Sequence, residues 1–173
     1  MPSQPLEALT RYKAWANERL YTMLAGLSPD QLAAPTPIFA GSILRTLNHV
    51  YLMDVVWKSH LLGVPHDLTT RNPEATRPLP DLRKAQRDID AWYVDRAAAM
   101  TPALGNEVVH FTFIGGGEGS LRREDMVLHA VNHTTYHRDT SPRCSTCLAC
   151  NRRQRTCRYS CATRDPRCRS NLD

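Results

Sequence analysis

Histidines recur at four-residue intervals in one stretch of the chain, Val127-Leu128-His129-Ala130-Val131-Asn132-His133-Thr134-Thr135-Tyr136-His137-Arg138. Four residues is just over one helical turn, so His129, His133 and His137 share a helix face. Two imidazoles at i and i+4 can hold one metal ion from the same side, and a third ligand then has to arrive from another part of the chain. His49, in Leu47-Asn48-His49-Val50, is the candidate for it. Imidazole nitrogen serves zinc, nickel, copper or iron, so donor type leaves the metal open. Three neutral imidazoles leave a divalent ion its full positive charge. An open fourth position then favours an anion, either hydroxide or a thiolate. Such a site suits the activation of water or of a thiol. No Glu lies between His133 and His137, which excludes the HExxH protease arrangement. Asn132, His129, Tyr136 and Asp54 are candidates to orient the ligands or exchange protons. No residue is assigned as catalytic.

These side chains need rigid supports. Leu6, Leu9, Tyr12, Ala16, Leu20, Met23 and Leu27 recur at three and four, which predicts an amphipathic helix over 4–27. Trp15 lies beside that stripe and reads as core. Residues 28–41, with Pro35, Pro37 and Gly41, predict a connection with one short turn, long enough to cover a pocket. Ser42 is the expected N-cap of a second helix, Ile43 to about Leu62, with Leu44, Leu47, Tyr51 and Val55 inward and His49 next to them. Residues 63–80 hold four prolines and predict a surface connection, with His60 and His66 solvated at its start. A third helix, over 80–100 and capped by Asp81, turns Leu82, Ala85, Ile89, Trp92, Tyr93 and Met100 inward. Its Arg83, Lys84, Arg87, Asp88 and Asp90 read as a solvated face. Residues 107–114 are β-prone, with His110 an ordinary strand residue. Gly115-Gly116-Gly117-Glu118-Gly119 then reads as a hairpin turn. It lacks the Lys-Ser/Thr of a phosphate-binding loop. Ser120 is the expected cap of the last helix, with Glu124 and Asp125 in its first turn. The fold class is therefore all-α, a four-helix bundle with a small β-hairpin before the last helix. Facing helices of a bundle can bring His49, His133 and His137 together.

Composition divides the chain near Arg138. Residues 1–137 carry 13 Lys+Arg against 14 Asp+Glu, while residues 138–173 carry nine Arg, no Lys and three Asp. The overall charge of +5 thus belongs to the C-terminal stretch, and the body gives no electrostatic reason to expect nucleic acid. All six cysteines also lie there, between Cys144 and Cys168. No run of eighteen apolar residues occurs, so no membrane span is expected, and the first residues lack the features of a secretory signal. A cytoplasmic location is the expectation.

The Leu47-Asn48-His49-Val50 segment and the string from Leu128 to Arg138 together resemble the DinB/YfiT-like superfamily, with its Asn-His-x-x-Tyr-His-Arg pattern at 132–138. The likeness covers residues 4–138 in helix order. It implies a four-helix bundle, often a homodimer, with a divalent metal held by His49, His133 and His137. His129 matches a frequent histidine of the family that is not one of the usual ligands. Zinc or nickel is the first expectation, with iron, copper or manganese as the others. Characterised members include transferases and isomerases that use a low-molecular-weight thiol on a small electrophilic substrate, and the family name carries a stress-response association. The alternative is a bundle that binds metal or ligand without catalysis.

After Arg138 the family pattern continues with Gly and then Gln or His, whereas this chain has Asp139-Thr140-Ser141-Pro142 and then mostly Arg and Cys. One permitted codon choice, with a single inserted base, restores Arg-Gly-His-Val-Ala-Glu-Met-Leu-Tyr. Residues 1–138 are therefore the bundle, its last helix running to about 150 at most. Residues 139–173 read as a shifted frame that cuts that helix short after Arg138. A clean gene sequence in the present frame, together with relatives that share this tail, would sink this reading. The competing reading of Cys144-x-x-Cys147-x-x-Cys150 with Cys157, Cys161 and Cys168 is a zinc or disulfide module that binds nucleic acid through its arginines.

Overall fold

The computed structural model describes residues 4–149, with side chains placed up to Arg138. Four long helices, α1 (Gln4–Leu24), α3 (Ile43–Leu62), α4 (Leu79–Ala98) and α6 (Arg123–Ala149), form the bundle. Two short ones, α2 (Pro29–Ala33) and α5 (Pro102–Asn106), lie in the connections. The antiparallel hairpin β1 (Val108–Thr112) and β2 (Glu118–Arg122) pairs Val108 with Arg122 and Thr112 with Glu118. It leads directly into α6. Helix α1 packs on α4 and α6, and α3 packs on the same two, so α1 and α3 take opposite corners. Among the described residues no helix is long and apolar enough to cross a membrane.

Local chemistry explains most boundaries. The Ser42 hydroxyl accepts a hydrogen bond from the Arg45 amide and starts α3, and Gly63 ends it with φ 67°, a left-handed conformation that costs glycine little. Ser28 and Gln31 form a reciprocal cap on α2. Gly115, Gly116 and Gly117 all have φ near +90°, so the glycine run is the hairpin turn. Two expected caps are absent. Helix α4 starts at Leu79, ahead of Asp81, with Pro80 in its first turn, and Pro78 offers no side-chain cap. Ser120 lies within β2, paired with His110, and α6 follows the strand without it. Helix α6 also runs past Arg138 and through Pro142 to Ala149. A proline removes one i→i−4 hydrogen bond, and here the backbone continues beyond it. The helix thus reaches the outer of the two limits read from the sequence, about residue 150, and does not stop at Arg138. The cysteines from Cys150 onward lie outside the described residues.

The core falls into two apolar groups. Leu6, Met53, Trp57, Ile89, Tyr93 and Met126 belong to one, and Leu20, Leu24, Leu32, Ile43, Leu47 and Leu82 to the other. Between the helices lies a polar cluster that periodicity did not suggest. The Lys13 ammonium, from α1, meets Asp54 of α3 at 2.7 Å and also contacts Asp90 of α4, with all three side chains almost fully buried. Gln86 donates to Asp54 and Asp90, Asn17 donates to Asp90, and Arg138 of α6 donates to Asn17 at 3.0 Å. Burial alone would push the Lys13 pKa down, but the two carboxylates outweigh it and hold the ammonium charged. Asp90 is therefore a core residue, not part of a solvated face. The inward stripe of α1 is Leu6, Thr10, Lys13, Asn17, Leu20 and Leu24, while Tyr12, Trp15 and Met23 are each more than half exposed.

Candidate metal centre

Helix α3 delivers His49 from the buried middle of the bundle, where its residue is 3 % exposed. Helix α6 packs against α3 and presents His133 and His137, one turn apart, to that imidazole. One nitrogen from each ring lies within 4.8 Å of the other two. His49 Nε2 is 3.2 Å from His133 Nε2. Two nitrogen ligands about 2.0–2.1 Å from a tetrahedral ion are about 3.3 Å apart, so this spacing fits one shared metal.

Proton positions follow from the neighbours. His49 Nδ1 lies 2.9 Å from the Arg71 carbonyl oxygen. A carbonyl only accepts, so Nδ1 carries the proton and Nε2 turns its lone pair toward His133. Two nitrogens so placed need either a proton or a cation between them. Burial pushes the His133 pKa down to about 3, reinforced by His137, His49, His129 and Lys13. Burial followed by His49 pushes His137 down to about 4. His49 is also lowered, first by burial, with the Arg71 carbonyl opposing and the Arg71 charge adding to it. All three imidazoles are neutral near pH 7, the form that binds metal.

The same shifts set a pH dependence. An unfolded imidazole titrates near about 6.5, above the folded values, so the unfolded chain holds more protons through this window. Stability of the metal-free protein is fully present above that pH and falls as pH drops toward about 4, by about 2–4 kcal/mol for His133. Denaturant midpoints from pH 7.5 to 4.5 should decline more gently in His133→Gln than in the wild type. Parallel curves would contradict the assignment.

One side of the triad opens into a cavity of about 410 Å³. Phe39, from the connection before α3, packs on His49 and His137 with ring centroids 5.0 and 5.2 Å away. That connection does cover a pocket. Met53, Val56 and Trp57 form the apolar floor, and Phe113 and Ile114 of the hairpin loop add to the wall. His129 keeps an exposed edge, yet its ring lies 4.5 Å from Trp57, and this partial burial lowers its pKa. It lies outside the triad, stacked 6.2 Å from His133.

Of the other candidates, Tyr136 packs on His137 at 5.0 Å and lines the cavity. Asn132 is exposed, and Asp54 is committed to Lys13. His60 stacks on Phe111 and contacts His66, at the far end of the cavity from the triad, while His110 is exposed on β1. Phe39 and Arg71 were not anticipated. Both lie in connections, where no periodicity marks a residue as inward. The DinB family profile matches residues 1–139. No curated protein matches the chain.

Proposed function

We propose, from the premise that the chain belongs to the DinB family, that it is a divalent-metal-dependent transferase or isomerase that uses a low-molecular-weight thiol on a small electrophilic substrate. One observation supports this reading above the others: three neutral, inward-facing imidazoles open onto a mainly apolar cavity. When bound there, a divalent ion would supply Lewis acidity and favour an anionic thiolate over the neutral thiol.

The protein's own residues do the rest. His49, His133 and His137 offer lone pairs and no negative charge, so a divalent ion held by them would keep its full charge and favour an anion. The Arg71 carbonyl fixes the His49 ring. Phe39 and Trp57 restrict water, which strengthens electrostatics and disfavours hydrolysis of the electrophile. His129, neutral and at the cavity edge, is placed to take the thiol proton as the S–H bond breaks. The sulfur electron pair then forms the bond to the electrophilic carbon as the bond from that carbon to its leaving group breaks. The leaving group departs with that electron pair, as halide in the case of an aryl halide. Zinc and nickel both suit an all-imidazole donor set, as copper and iron do, and are the first metals to test.

Cobalt-substituted protein titrated with a panel of small thiols should develop sulfur-to-metal charge-transfer absorption, and the same thiols should support turnover of an activated aryl halide. Absorption without turnover would leave a metal- and ligand-binding bundle. The absence of both would refute the thiol reading.

A further inference from the structure

The cavity beside the triad carries one permanent charge. Arg71 lines it, and none of the other lining residues is a carboxylate, lysine or arginine. Arg71 pairs with no carboxylate among the described residues, which is also true of Arg19, Arg45, Arg77, Arg96 and Arg138, but of these arginines it alone lines the cavity. Its backbone is not free to drift, because the Arg71 carbonyl accepts from His49 Nδ1. The guanidinium therefore starts from a point fixed relative to the triad. Trp57, Phe113 and Ile114 line the same cavity and give it a broad apolar surface.

We propose that Arg71 is an anion-binding subsite, and that the ligand of this cavity is a small carboxylic acid with a flat apolar body. The acid group pairs with the guanidinium at the mouth, and the body lies against Trp57 and Phe113. The other end of the ligand then faces His49, His133 and His137. A guanidinium fork matches a carboxylate in two parallel hydrogen bonds, which a single arginine does better than it neutralises a doubly charged phosphate. A volume of about 410 Å³ holds such a molecule. This deepens the proposed function, and rests on its reading of the cavity as the ligand site, by naming a substrate class.

The test needs no thiol. Zinc-loaded full-length protein is titrated with 3-phenylpropionate and with the neutral amide of the same acid. Binding is followed by tryptophan fluorescence, with Trp57→Phe confirming the reporter. The wild type should prefer the acid by about tenfold, as expected for a charge-assisted pair. Arg71→Gln should lose that preference with amide binding unchanged, and Arg71→Lys should keep part of it. A preference that survives in Arg71→Gln would assign the carboxylate to the metal and overturn the proposal, as would failure of the acid to bind the wild type. Arg71-dependent binding of the acid, in a protein that shows no thiol-dependent absorption, would sustain this subsite and remove only the thiol reading.

Discussion

His133→Ala should abolish metal retention. His133 is one corner of the triad, 3.2 Å from His49 and one turn from His137. Partners outside a ligand set already account for about 10–100-fold in metal affinity, so loss of a ligand should exceed 100-fold. The metal also ties folding to occupancy. At a free concentration about 1,000 times the dissociation constant, a bound ion stabilises by about 4 kcal/mol. A chelator should therefore lower the melting temperature of the wild type and leave that of His133→Ala unchanged. His129→Ala should retain metal like the wild type, because its ring lies beside the triad and not in it. Elemental analysis of the purified proteins checks both. Equal metal in wild type and His133→Ala would dismiss the site.

Lys13→Met should destabilise the fold by about 3–5 kcal/mol. The methionine fits the space, so the effect is not a packing defect. It arises because Asp54 and Asp90 would face each other in the interior without the ammonium that holds them. Gln86 and Asn17 remain as donors, but neutral amides do not offset two buried charges. Against a typical total of about 5–15 kcal/mol, this is a large share. Removing all three charges, in Lys13→Met with Asp54→Asn and Asp90→Asn, should recover most of the loss. Urea midpoints decide the matter: a single-variant loss under about 1 kcal/mol would show that the cluster is well hydrated.

The metal ligands were legible because their chemistry has a spacing. Two histidines one turn apart on a helix, and one more on a second helix, constrain each other strongly. The bundle and hairpin were legible for a similar reason, from apolar periodicity and a glycine run. The polar cluster was not, although its trace is in the sequence. Leu6, Thr10, Lys13, Asn17, Leu20 and Leu24 follow a regular four-three spacing. Three polar members led the inward face to be placed on Leu9, Tyr12 and Met23, which are exposed. Trp15 was misplaced by the same error. A lysine faces inward only when carboxylates from other helices meet it, and those partners are 41 and 77 residues away. Arg71 and Phe39 gave no signal, since a loop side chain's direction depends on how the loop folds back.

The buried cluster also fixes alignment. Apolar helix faces tolerate sliding, since one leucine greets another equally well a turn further along. A slip of one turn moves a side chain about 5.4 Å, far beyond the reach of a hydrogen bond. Lys13 can satisfy both carboxylates at only one setting of α1 against α3 and α4, and Arg138 extends the same restriction to α6 through Asn17. Asp54 lies five residues beyond His49, and Arg138 directly follows His137. The ammonium of Lys13 thus acts as a dowel for the whole assembly, and the distance at which the two halves of the histidine triad meet is set from the opposite corner of the bundle.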